Sequence, residues 1–170
     1  AGMGDALATY FEARVCYDNG FPNTLGTDIS LSAMAMARLC YDTLIKDGPK
    51  AKEDAEKKTV TPEVEHIIEA NTLLSGLGFE SGGLSCAHSV QDALTTIPEC
   101  HKFLHGYRVA FGTLCLMNLV GYPEEEIEKV MDFCTKVGLP ITFAQLDLVD
   151  DVENKIRSII PYAYVPDIEN

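Results

Sequence analysis

Apolar residues recur every three or four positions along most of this chain, and strict two-residue alternation is rare. That period predicts helices rather than strands, and so a mostly α fold. Leu7, Ala8 and Phe11 mark one face of a first helix over residues 5–17. The run SLSAMAMARLCYDTLIK gives a second over residues 30–46, with Ser30 as its cap and Asp47-Gly48-Pro49 as its stop. Its small side chains predict close helix packing. Thr61 can cap a long third helix with Pro62 in first position, and Val64, Ile67, Ile68, Leu74 and Leu77 repeat at helical spacing until Gly82-Gly83. Further helices are predicted from about Leu84 to Thr95, from His105 to Leu119, over 124–137 and around 147–160. Three glutamates in the first turn of the 124–137 segment suit the helix dipole. No internal repeat, low-complexity block or domain boundary appears within the 170 residues.

Composition bounds this picture. With 46% hydrophobic residues, a chain of 170 can bury roughly two thirds of its unfolded surface as one domain. The net charge of -13 argues against nucleic acid and against anionic membrane surfaces, which both need basic patches. Six cysteines are spread without a CxxC pair and sit inside apolar patterns, as reduced core thiols of an intracellular protein would. There is no leader pattern and no apolar run of membrane-spanning length, so a soluble, cytoplasmic protein is expected. The chain opens in helix-like sequence and closes on the Pro-containing acidic tail PYAYVPDIEN, which suggests a piece cut from something larger.

Few residues could carry chemistry. Of four histidines, His66 lies between Glu65 and Glu69 on a polar face and reads as surface. His88 shares its helix with Leu84, Ala87 and Leu94, and an imidazole on a packed helix needs a hydrogen-bond partner or a metal. By itself it fits either a satisfied core histidine or a ligand. His101 and His105 have a zinc-compatible i, i+4 spacing, but Pro98 and Gly106 put helix continuity there in question. Asp5 fits either an acid at a helix N-terminus or a ligand. One carboxylate with two imidazoles would leave a metal position open, as in catalytic zinc sites. Spacing alone does not select those three residues. Cys86 and His88, two apart, point to different sides of a helix, against a shared metal or nucleophilic role. Glycines at 76, 78, 82 and 83 follow no strand, so neither a dinucleotide fingerprint nor a P-loop is supported.

The blocks GMGDALATYFEAR at 2–14, ANTLLSGLGFESGGLSCAHSV at 70–90 and HKFLHGYRVAFGTL at 101–114 closely resemble the C-terminal helical domain of bacterial glycerol dehydrogenases, within the iron-containing alcohol dehydrogenase superfamily. Their order also matches, and the resemblance covers about residues 1–150. It implies the helical bundle domain of the dehydroquinate synthase-like fold, without the α/β domain that binds most of NAD in that family. It further implies one zinc per chain on Asp5, His88 and His105, with His101 as a cleft or supporting residue. Iron-type relatives carry another histidine one turn after the aspartate. Thr9 stands there here, which suits a three-ligand zinc site. Phe79 matches a residue lining the cofactor and substrate side of the cleft, and the glycines of 76–83 would let backbone approach a ligand.

The activity implied is zinc-assisted hydride transfer from glycerol to NAD, giving dihydroxyacetone, with this chain contributing the metal and substrate half. The alternative is a shortened, non-catalytic relative that serves as a metal-binding assembly or regulatory partner. The resemblance also implies a homo-oligomer, commonly an octamer, built through the helical domain, and a missing cover domain would leave apolar surface that favours self-association.

Overall fold

The computed structural model describes residues 1–163. Eight α-helices make up the described part, with no strand: α1 (Gly2–Asn19), α2 (Leu31–Glu56), α3 (Pro62–Glu69), α4 (Ser75–Gly82), α5 (Cys86–Leu94), α6 (His105–Val120), α7 (Glu124–Val137) and α8 (Val152–Ala163). The mostly α expectation holds. None of these helices is long and apolar enough to cross a membrane.

The central element is α1. Residues 6 through 13 are buried on every side of it, because α2, α4, α5 and α6 all pack around it. An all-round buried helix carries no simple amphipathic stripe, which is why the sequence shows only part of its contact surface. Leu7 and Phe11 are fully buried, each worth about 1.5–3 kcal/mol of burial. Around Phe11, the rings of Tyr10, Tyr41 and Tyr122 stand edge-on at 5.2–5.4 Å between centroids. A second cluster, including Leu94, Ile97, Phe111, Leu146 and Ile159, joins α8 to α5 and α6.

Helix α1 runs Gly2–Asn19 rather than 5–17, and three other boundaries differ in kind from the sequence expectation. Helix α2 does not stop at Asp47-Gly48-Pro49 but runs through Pro49 to Glu56. A proline inside a helix costs about 3 kcal/mol. Here the continuing face is buried at Gly48, Ala51 and Asp54, with Gly48 against the Phe133 ring and Asp54 accepting from the Thr61 hydroxyl at 2.9 Å. Next, the long third helix contains a π-helical turn, Ala70–Leu74. Within and after it, buried positions recur at 70, 74, 78 and 82, with Ser75 beside them. Steps of four exceed 3.6, so the wider turn keeps them on the α1 side. Lastly, α8 begins at Val152 rather than near 147, because a short 3-10 turn, Phe143–Leu146, ends on Asp147 in the left-handed region at φ 57°. The Thr142–Gln145 capping box starts that turn. The tail from residue 164 onward lies outside the described residues.

Other starts and stops agree with the sequence. Ser30 and Thr61 accept from Ala33 and Val64 amides as N-caps, and Gly121 and Gly138 close α6 and α7 in left-handed conformations. All six cysteines are free thiols.

Candidate metal centre

Helix crossings bring the chemistry together. At Gly4 on α1, an added Cβ would lie 2.2 Å from the Gly106 carbonyl oxygen, and at Gly106 one would lie 2.0 Å from the Ala1 carbonyl oxygen. Only glycine allows so close a backbone approach. Each of these glycines neighbours a candidate ligand, so the crossing sets Asp5 on α1 beside His105 on α6. A similar contact ties α6 to α5, where Gly112 meets the Ala87 carbonyl next to His88. Gly83, at φ +87°, turns the chain from α4 into α5, with Cys16 and Pro22 closing the space a side chain would need.

Asp5, His88 and His105 each offer one donor atom, all within 4.8 Å of one another. The Asp5 Oδ1 lies 3.5 Å from His88 Nε2 and 3.1 Å from His105 Nε2. Donors about 2.0–2.1 Å from a tetrahedral zinc stand about 3.3 Å apart. The two separations from Asp5, and the donor types, therefore suit a zinc-sized cation. Among the described residues it is the one cluster of three or more such groups this tight.

The same three residues line a cleft of about 280 Å³. Phe79 and Leu84 give it an apolar wall, with the Phe79 ring centroid 5.9 Å from that of His88. Thr9 and Ser75 share a buried hydroxyl–hydroxyl hydrogen bond of 3.0 Å on its floor, and Asn71 and Ser75 reach it from the π turn and its end. A π turn beside a cleft is a recurrent functional device. Of the glycines expected to approach a ligand, only Gly76 faces the cleft. Gly78 and Gly82 pack against Thr9, Ala37 and Ala13 instead.

His101 does not take part. It sits on a separate 3-10 turn, Pro98–Lys102, is exposed, and bonds through Nε2 to the Thr95 carbonyl at 2.8 Å. The i, i+4 spacing with His105 spans two elements. Cys86 lies outside the cluster, and burial, with help from the Glu12 charge, pushes its thiol above the ordinary range, which removes a nucleophilic role at neutral pH.

One residue of the site was missed by sequence reasoning. Glu12 is 1% exposed, on the α1 face shared with Asp5 two turns earlier. Its Oε1 accepts from the Ser85 and His88 amides at 2.9 and 3.0 Å, and its Oε2 lies 2.6 Å from His88 Nδ1. An acid amid the apolar run ATYFEARV, seven positions after Asp5, was the available signal. Burial depresses the His88 basicity, but the hydrogen bonds the ring donates to Asp5 and Glu12 outweigh it and push the metal-free imidazole up to about 9. Burial raises Asp5, yet the hydrogen bond from His88 and the His105 charge carry its carboxyl below the ordinary range.

No family model matches the chain. It is 50% identical over 159 residues to a glycerol dehydrogenase of Citrobacter freundii and 53% identical over 159 residues to one of Escherichia coli O6:H1. Those alignments cover 94% of this chain but 44% and 43% of the two enzymes. The crystal structure of a probable glycerol dehydrogenase from Sinorhizobium meliloti 1021 matches with a TM-score of 0.95 at 49% identity, over 97% of this chain and 46% of that one. The chain thus spans somewhat under half the length of the relatives it matches.

Proposed function

Because the chain is a homologue of the glycerol dehydrogenases and has the fold of their helical domain, we propose that it forms the metal-binding and substrate-binding half of an oxidoreductase acting on glycerol. Asp5, His88 and His105 would hold one zinc ion, and NAD would be the hydride acceptor. The observation that carries this reading is the convergence of three donor atoms from three helices within 4.8 Å, with both imidazoles 3.1–3.5 Å from the Asp5 carboxylate.

When bound, the two groups supply Lewis acidity at an alcohol oxygen and a hydride acceptor beside it. The chain's own residues do the rest. Asp5 contributes the single negative charge of the donor set, so a divalent ion there keeps net positive charge toward the cleft. Phe79 and Leu84 give the side of the cleft next to His88 an apolar lining. The Thr9–Ser75 hydroxyl pair and Asn71 offer polar partners to a small polyol.

Elemental analysis of the purified chain, together with NAD reduction by glycerol, tests this. About one zinc per chain with turnover is expected of an enzyme. Absence of metal even after added zinc would sink the site. Zinc without turnover would instead select a second reading, a metal-binding assembly or regulatory partner. Self-association is proposed with either reading, and gel filtration showing only monomer would count against it.

A further inference from the structure

The buried Glu12 belongs to no donor set, yet three N–H groups converge on it. Helix α5 begins at Ser85, whose own side chain makes no capping bond, and its hydroxyl oxygen has no partner. The work of an N-cap falls instead to a carboxylate from another helix: Glu12 Oε1 takes the Ser85 and His88 amides. The second oxygen, Oε2, meets the ring of the same His88 at 2.6 Å. A carboxylate has acceptors only, so the ring nitrogen facing it, Nδ1, must be the donor. In the neutral ring a proton held on Nδ1 leaves the lone pair on Nε2, the nitrogen that faces Asp5 and His105.

We propose that Glu12 is a positioning residue that selects the His88 tautomer and ring orientation able to bind a metal, while fixing the start of α5 that carries that ring. The proposal rests on the reading of Asp5, His88 and His105 as a metal centre. It makes the chain's site a unit of four residues from three helices, in which the fourth acts only through the second. Carboxylates that hold the far nitrogen of a ligating histidine tune metal affinity by about 10–100-fold.

The substitution that isolates this role is Glu12→Gln. Its carbonyl oxygen can still accept the two amides, and those two donors forbid the flipped amide, which would set N–H against N–H. The amide nitrogen then stands opposite Nδ1 as a donor. The His88 proton must move to Nε2, where it blocks the lone pair.

The expected result, from competition with a chromophoric chelator, is a loss of zinc affinity of about 10–100-fold with helix content unchanged. Wild-type zinc affinity in a folded E12Q chain overturns the proposal. Long-range proton–nitrogen NMR of His88 in the wild-type chain reads the same point even if E12Q fails to fold. A proton on Nδ1 and none on Nε2 is expected in the zinc-bound ring, and in the metal-free ring once it is titrated to its neutral form at alkaline pH. A proton on Nε2 overturns the proposal. Failure of the metal reading shows separately, as a wild-type chain that takes up no zinc while the metal-free ring still reports its tautomer.

Discussion

Two histidine–carboxylate pairs of nearly equal length lie among the described residues, and only one adjoins the proposed metal centre. His88 Nδ1 stands 2.6 Å from Glu12, and His66 Nδ1 stands 2.8 Å from Asp47. Both acids are buried, at 1% and 9% side-chain exposure, but the His88 ring is 16% exposed and the His66 ring 50%. The far nitrogen of His88 faces Asp5 and His105. Among the described residues no comparable donor set gathers beside His66. An acid–histidine contact is therefore uninformative by itself, and what the second ring nitrogen meets decides its meaning.

The sharpest way to break the contrast is to remove each ring. His88→Ala should abolish stoichiometric zinc, from about one ion per chain to near none, while circular dichroism keeps most of the helix signal. Full zinc retention in that variant would refute the site. A step down in effect is Gly106→Ala, which disturbs the crossing rather than a ligand. Its Cβ would fall 2.0 Å from the Ala1 carbonyl oxygen, and a backbone atom cannot swing aside. Overpacking of this kind costs about 1–3 kcal/mol. The melting temperature should fall and zinc affinity with it, since the separation of His105 from Asp5 widens. An unshifted melt would mean that the helices do not meet so closely.

How much of this could be read beforehand follows from the same residues. Helix starts at Ser30 and Thr61 and stops at Gly121 and Gly138 were legible because each is fixed by local chemistry. Pro49 misled, because the Phe133 ring that packs on Gly48 and helps carry α2 through it comes from α7, far away in sequence. The π turn left only a faint trace, steps of four in the buried positions. For the candidate site, spacing suggested the H-x-x-x-H pair and so half-favoured His101, which the structure sets apart. Asp5, His88 and His105 were named through family resemblance, and the structure brings them together. Glu12 stayed hidden because its three partners lie 73 to 76 residues along the chain.

A pH series sharpens the contrast further. Without metal, His88 holds its proton up to about 9, above the ordinary histidine value of 6.5. A raised histidine contributes stability that is fully present below the unfolded value and lost as pH rises through the folded one. The metal-free chain should therefore lose this contribution between about pH 6.5 and 9. Zinc uptake runs the other way. Binding must displace the proton, so apparent affinity should weaken by about tenfold per pH unit below 9. Calorimetry at pH 7.5 in buffers of different ionisation enthalpy should report close to one proton released per zinc. Release of none would contradict the assignment of His88 as a ligand.

The smallest effect is expected at the other pair. His66→Ala removes a half-exposed ring from the buried Asp47, and a hydrogen bond of this kind contributes about 0.5–1.5 kcal/mol. Lys46 lies 3.7 Å from the other Asp47 oxygen, so a positive charge remains within reach of the acid. Zinc stoichiometry should be unchanged and the melt shifted slightly at most. A large loss of stability would mean that Asp47, which sits inside α2 two residues before Pro49, depends on His66 to hold the helix through the proline. Loss of zinc would mean that the two pairs are coupled across the α1 core, and the distinction drawn from their second nitrogens would fail.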